Sequence, residues 1–81
     1  MNNWIEIWRD DYMSLIACAV RNMQADLECG YDPNGFSIWQ SKATIAEYKE
    51  RYNLGLERIA EMDEKAAQRW CYYDLKKRGA I

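Results

Sequence analysis

Apolar residues recur at intervals of three and four positions through the first third of the chain, and this spacing constrains the fold more than any other feature. The positions are Ile5, Trp8, Tyr12, Leu15, Ile16, Ala19, Val20, Met23 and Leu27. They wrap one face of a single long helix whose opposite face is polar. Asn3 and Glu6 form a capping pair at its start, and Gly30 suits a left-handed stop at its end. The spacing therefore predicts a first helix from about Trp4 to Glu28.

Two further helical patterns follow in the second half of the chain. Ser41 suits the N-cap of a second helix, whose apolar positions are Ile45, Tyr48, Tyr52, Leu56, Ile59 and Met62. Gly55 lies at the edge of this stripe, where the missing side chain lets another backbone at a helix crossing, or a ligand, come close. Asp63 is the predicted cap of a third helix that stops at Gly79. Its predicted inner residues are Ala66, Ala67, Trp70, Cys71, Tyr73 and Leu75.

The segment between the first two helices has the residue order of a type I turn. It reads Tyr31-Asp32-Pro33-Asn34-Gly35-Phe36. A small hairpin with arms Cys29–Tyr31 and Phe36–Trp39 is one interpretation, and an ordered loop is the other. Arms this short are not stable alone, so their side chains must pack on the helices or on a partner. We expect one all-α domain over residues 1–81, with three helices, the first of them long, and a short hairpin or ordered loop after it.

Catalytic and metal chemistry has little support in the composition. The chain has no histidine, and a zinc site would need all three irregularly spaced cysteines plus a carboxylate. A nucleophilic Cys71 would depend on cationic neighbours such as Lys76 to lower its pKa. The four glycines are isolated, so there is no glycine-rich phosphate loop, and adjacent carboxylates on a helix point in different directions. We expect a non-enzymatic protein with no metal and no cofactor.

Sequence features also bear on the cellular compartment. Residues 1–11 carry acids and two tryptophans where a signal peptide has a basic stretch leading into an apolar run. The odd number of cysteines disfavours a disulfide framework, and no apolar run approaches the roughly 20 residues of a membrane span. We therefore expect a cytoplasmic protein with no membrane partner.

Aromatic residues are unusually numerous: the 81 residues include four Trp, six Tyr and one Phe. A domain of this size rarely gains more than roughly 3–5 kcal/mol from a single core without an added staple. Rings that exceed what such a core hides tend to lie at interfaces. The composition therefore favours self-association as a homo-oligomer, or binding to a partner.

Positive charge is concentrated at the end of the chain. Residues 65–81 hold five bases and one acid, although the whole chain has a net charge of −2. Lys65, Arg69, Tyr72 and Lys76 follow one another at spacings of four, three and four, so they share one exposed row of the third helix. This basic row suits phosphates or an acidic protein face, and it also fits a solvated helix end whose bases complement the dipole.

Two other interpretations involve the same region. Trp70, Tyr72 and Tyr73 with Arg69 have the composition of a platform on which a base stacks while a cation holds its phosphate. A basic last helix after a short break also suggests a helix-turn-helix DNA-binding protein. Only Asp63 is predicted to separate the two helices, however, where DNA-reading pairs usually have three or four residues.

The last 15 residues read Ala67-Gln68-Arg69-Trp70-Cys71-Tyr72-Tyr73-Asp74-Leu75-Lys76-Lys77-Arg78-Gly79-Ala80-Ile81. This stretch resembles the C-termini of small uncharacterised proteins of phages and prophages of Firmicutes. The resemblance carries no catalytic motif. It implies a protein of the host cell cytoplasm that binds and blocks a host machine, as anti-CRISPR and other anti-defence inhibitors do, or that sequesters a signalling nucleotide.

Our leading hypothesis is an inhibitor of a host nucleic-acid-processing or defence protein, such as a nuclease. Its candidate partner-binding residues are those of the basic row, together with the turn aromatics: Lys65, Arg69, Tyr72, Lys76, Tyr31 and Phe36. One alternative is a homo-oligomeric sponge for a nucleotide, with Trp70 or Tyr72 stacking and Arg69 pairing the phosphate. The other is a small DNA-binding regulator.

Overall fold

A computed structural model describes residues 2–30 and 34–81. It contains three helices, α1 (Trp4–Cys29), α2 (Phe36–Glu61) and α3 (Glu64–Lys77). No strand occurs within the described ranges. The predicted all-α fold with a long first helix is therefore confirmed.

The predicted helix caps at three positions are confirmed. The side chain of Asn3 accepts a hydrogen bond from the Glu6 backbone N–H at 3.2 Å. Gly30 follows α1 with a φ of 68°, the left-handed conformation that glycine adopts without steric cost. Asp63 Oδ1 accepts from the Ala66 backbone N–H at 2.8 Å and caps α3.

The predicted start of α2 is wrong. Phe36–Trp39, predicted as one arm of a hairpin, form the first turn of α2, and Ser41 lies inside the helix instead of capping it. Gly35, with a φ of 66°, precedes the helix and supplies no side-chain cap. In the described part of the connection, Asn34 and Gly35 form a turn and no strand, which fits the ordered-loop alternative. Tyr31 and the adjoining Asp32 and Pro33 lie outside the described residues.

The core lies where the three helices meet. Its buried side chains are Trp8, Tyr12, Cys71 and Leu75. The Trp8 indole stacks on Tyr52 of α2 at 5.5 Å and meets Trp70 of α3 edge to face at 5.6 Å. A close approach does occur at Gly55, but the group that fills the space is the side chain of Trp8, not the backbone or ligand that the sequence suggested.

Helix α3 covers only part of the other two helices. It runs in the same direction as α1, since Trp4 contacts Tyr72 and Tyr12 contacts Arg78. Beyond Tyr12, α1 packs against α2 without a third helix. The molecule is accordingly elongated, with principal dimensions of 49 × 22 × 17 Å.

Candidate binding surface on the third helix

One face of α3 is packed and the other is exposed. Ala67, Cys71 and Leu75 are buried, which turns the opposite side of the helix to solvent. The structure places Lys65, Arg69 and Lys76 on that exposed side, with Tyr72 half-buried at its edge. The four residues of the basic row therefore share one side of α3.

Asp74, the single acid of residues 65–81, is turned away from the basic row. Its Oδ2 accepts hydrogen bonds from Trp8 Nε1 at 2.8 Å and from Arg78 Nε at 3.0 Å. The guanidinium of Arg78 also binds Asp11 through Nη1 at 2.5 Å. None of the ion pairs formed by the described residues involves Lys65, Arg69, Lys76 or Lys77. The exposed side of α3 thus carries cations that form no ion pair among the described residues, in a chain of net charge −2.

An aromatic layer adjoins this charge. Tyr72 meets Trp4 edge to face at 4.9 Å and Tyr73 at 5.5 Å. Tyr73 was predicted on the inner side of the helix, and that placement is wrong because 65% of its surface is exposed. It lies two residues after Cys71 and therefore about 160° around the helix from that buried thiol.

Trp4 is held in place by a side chain of α3. Its backbone N–H donates to Gln68 Oε1 at 2.6 Å, and Gln68 Nε2 donates to Asn3 Oδ1 at 3.0 Å. Trp4 lies outside the apolar stripe predicted for the first helix, which begins at Ile5. Its place beside Arg69 depends on contacts between residues far apart in the chain, so no local spacing signals it.

The start of α1 and the first turns of α3 enclose an open groove beside the basic row. The groove has a volume of about 910 Å³ and is lined by Asn2, Asn3, Trp4, Glu64, Lys65, Gln68 and Arg69. A smaller hollow of about 230 Å³ shares part of this lining and adds two tyrosines, and its residues are Trp4, Gln68, Arg69, Tyr72 and Tyr73. Two cations and an aromatic wall therefore converge here, with Glu64 as the acid at the rim. The term α3 surface is used below for the four residues of the basic row together with Trp4 and Tyr73.

The remaining candidate residues lie elsewhere. Trp70 lines a different cleft, between α2 and α3, together with Arg58 and Lys77. Trp70 and Arg69 therefore do not share a pocket. Phe36 is exposed and stacks on Trp39 at 6.0 Å at the start of α2, whereas α3 packs near the other end of that helix. Phe36 and the basic row therefore form two separate surfaces. Tyr31 is outside the described residues.

Cys71 lacks the environment of a nucleophilic thiol. Burial, reinforced by the charge of Asp74 and opposed by Arg9, raises the pKa of Cys71 to about 11. The side chain has no exposed surface. A thiol in this environment is protonated at neutral pH and inert. Lys76, the cation considered from the sequence, does not contribute to the shift.

The described residues, 2–30 and 34–81, provide neither a metal site nor a membrane span. No group of three cysteine, aspartate or glutamate side chains in these ranges is arranged to hold a metal ion. None of the helices described has the length and apolar character that crossing a bilayer requires.

Comparisons of the chain with protein-family models, with curated proteins and with solved structures find no match.

Proposed function

We propose that this protein is a non-enzymatic inhibitor that docks the α3 surface onto an acidic face of a host nucleic-acid-processing or defence protein. The observation that carries the proposal is the inward position of Asp74, which is bound to Trp8 and Arg78. This arrangement leaves the cations of the basic row without an ion pair among the described residues on the exposed side of α3. Docked charges of one sign select a partner surface of the other sign and accelerate the encounter.

The chemistry of nucleases and polymerases supplies a matching surface. Such enzymes hold divalent metal ions with clustered carboxylates, which form an acidic patch in the catalytic cleft. Arg69 suits paired hydrogen bonds to a carboxylate, and the flanking lysines add charge. Trp4 and Tyr73 add aromatic contact area, which is enriched at the centre of protein interfaces. The resemblance of Ala67–Ile81 to small phage proteins favours the same class of partner.

A charge-reversal experiment tests the proposal. The native chain and an Arg69→Glu, Lys76→Glu variant are immobilised and exposed to bacterial lysate, and the proteins retained only by the native chain are identified. Each retained protein is purified and assayed for nucleic-acid cleavage or binding. We expect the native chain to inhibit that activity, and the double variant to bind at least about 100-fold more weakly, since like charges across an interface cost several kcal/mol.

The matched control is Lys42→Glu, Lys49→Glu, which makes the same charge change at exposed positions of α2. This variant should inhibit like the native chain, and circular dichroism should show native helix content in both variants. Equal inhibition by native chain and Arg69→Glu, Lys76→Glu variant would remove the α3 surface from the proposal.

A nucleotide ligand is the second candidate function, supported by the groove. A phosphate would meet Arg69 and Lys65, and a base would lie against Tyr72 or Tyr73 in the adjoining hollow. Calorimetric titration with ATP tests this function: saturable heat that is lost in Arg69→Glu supports it. Absence of heat from the native chain leaves the protein-docking proposal alone.

The DNA-binding alternative has less support. Helices α2 and α3 are separated by Met62 and Asp63 only, whereas helix-turn-helix pairs usually have three or four residues between their helices. A flat response of DNA affinity to added salt would argue against this function, because phosphate contacts make such binding steeply salt-dependent.

A further inference from the structure

The part of the α1–α2 pair that α3 does not cover has two unlike sides. On one side the helices enclose a polar hollow of about 290 Å³, lined by Ala19, Asn22, Asp26, Ser37, Gln40, Ser41 and Thr44. The other side of α1 carries a stripe of apolar residues, which we call the α1 stripe: Met13, Ile16, Val20, Met23 and Leu27.

The α1 stripe has the spacing of a coiled-coil seam. Its residues follow one another at intervals of three, four, three and four, the heptad pattern that packs one helix along another. They lie about 120–180° around α1 from Asp11, the residue that binds Arg78 of α3. The stripe therefore faces away from α3.

Exposure is high at the two ends of the stripe, whereas Ile16, Val20 and Met23 between them are half-buried. Met13 is 56% exposed and Leu27 is 57% exposed, and none of the three residues between them is fully buried. Ile38 and Ile45 of α2 are likewise only half-buried. A seam that α3 leaves uncovered, with exposed apolar side chains at both ends, is a surface suited to another helix.

The total surface area of the chain exceeds that of a compact monomer of the same mass. A compact monomer of 9.6 kDa is expected to expose about 5,100 Å², whereas this chain exposes 6136 Å². The excess of about 1,000 Å² is close to the roughly 800 Å² that each partner buries in a standard stable interface. The elongated shape of the monomer contributes to this excess, and a second chain packed along α1 would reduce it.

The order of residues in the stripe makes it complementary to itself. In an antiparallel pair of α1 helices centred on Val20, each Met13 faces the other copy's Leu27, and each Ile16 lies beside the other copy's Met23. The outer flanking positions, Ala17 and Gln24, are uncharged, so no like charges meet across the seam. Such a contact is isologous, the type that closes a twofold dimer.

We infer that the α1 stripe binds a second copy of this chain in an antiparallel twofold dimer. The dimer axis passes near Val20, and the α3 surface of each copy faces outward. Each dimer therefore presents two α3 surfaces and has two binding sites for a partner or ligand. The dimer and the proposed function are independent, because they use opposite sides of the molecule.

Light scattering during size-exclusion chromatography tests the dimer over a range of protein concentrations. We expect a mass of twice 9.6 kDa for the native chain. Met13→Glu alone and Leu27→Lys alone should each place a charge opposite an apolar side chain and yield the monomer mass. The two changes combined should restore the dimer, because the two new side chains, of opposite charge, face each other across the antiparallel seam. Ala25→Glu, at an exposed position off the stripe, should remain dimeric.

Three results would contradict the dimer, the surface that forms it, or its antiparallel register. A monomer mass for the native chain at all concentrations would overturn the dimer. A native dimer that persists in both single variants would overturn the assignment to the α1 stripe. Loss in the single variants without recovery in the combined variant would overturn the antiparallel register. Met13 and Leu27 are more than half exposed, so circular dichroism should show an intact fold in every variant.

Discussion

The indole ring of Trp8 occupies the space beside Gly55 in which a side chain would begin. A β-carbon placed on Gly55 would overlap the Cζ2 and Cη2 atoms of Trp8 and would lie 3.3 Å from Cη2 of Trp70. Trp8 has no exposed surface, and its Nε1 is bound to Asp74. The ring also stacks on Tyr52, so displacing it would break packing contacts and its hydrogen bond. This single contact joins all three helices.

Gly55→Ala is therefore expected to destabilise the protein. In an exposed helix interior the same change stabilises by about 1 kcal/mol, but here the added methyl group overpacks the core and should cost about 1–3 kcal/mol. Urea denaturation measures the difference in the free energy of unfolding. Asn53→Ala, at an exposed position of the same helix, is the control and should not destabilise. Unfolding of Gly55→Ala at or above the native urea midpoint would contradict the prediction.

Features that depend on neighbouring residues were predictable from the sequence. The caps at Asn3 and Asp63 and the stop at Gly30 follow from side chains within three or four positions. The start of α2 was missed because the residues of its first turns that line the hollow beside α1 are polar. Ser37 and Ser41 line the hollow that also contains Asp26 of α1, so the apolar spacing that signals a helix is interrupted there.

The candidate site was likewise predictable only where it depends on residues close together in the chain. The basic row follows from spacing along one helix, and Lys65, Arg69 and Lys76 are exposed together as that spacing implies. Trp4 joins them through Gln68 and Tyr72, which are contacts between the two ends of the chain. Long-range contacts of this kind leave no periodic signal, so the groove could not be derived from the sequence.

Arg78→Met should lower stability by about 1–3 kcal/mol. Arg78 joins α1 to α3 by binding Asp11 at 2.5 Å and Asp74 at 3.0 Å, and its guanidinium lies 4.2 Å from the centre of the Tyr12 ring. Hydrogen bonds to charged groups are worth about 1.5–3 kcal/mol each when well shielded, and these side chains are partly exposed. Thermal and urea unfolding measure the loss.

Two controls define the role of Arg78. Lys77→Met removes the neighbouring exposed cation, which has no ion pair among the described residues, and should change stability by less than about 0.5 kcal/mol. Arg78→Lys should remain destabilised, because one ammonium group lacks the planar fork that reaches two carboxylates. Equal stability of Arg78→Met and Lys77→Met would show that the network contributes nothing.

Stability should fall as pH rises from about 9 to 11. Burial raises the pKa of Cys71 from 9.0 to about 11, so in this interval the unfolded chain loses the thiol proton while the folded chain keeps it. The stabilisation is complete below pH 9 and is lost as pH rises toward the folded value, a change on the order of 2–3 kcal/mol. Burial also raises the pKa of Tyr12, from 10.0, against the opposing charge of Arg78, so it adds to the loss only at the upper end of this range.

Measurements on two alanine variants separate the Cys71 contribution. The free energy of unfolding is determined by urea titration at successive pH values for Cys71→Ala and for Cys18→Ala, the latter at an exposed cysteine. Cys71→Ala should lose most of the decline between pH 9 and 11, whereas Cys18→Ala should retain it. Retention of the full decline in Cys71→Ala would assign it to other groups.

Thiol labelling connects the buried cysteine to the Trp8–Gly55 contact. Cys18 and Cys29 are exposed and should react with a disulfide reagent in the folded protein, whereas Cys71 should react only when the core opens. With opening and closing fast relative to labelling, the rate at Cys71 follows the free energy of opening. Gly55→Ala should then raise the Cys71 rate by about tenfold for each 1.4 kcal/mol of lost stability and leave Cys18 and Cys29 unchanged. Rapid labelling of all three thiols in the native chain would contradict the buried position of Cys71.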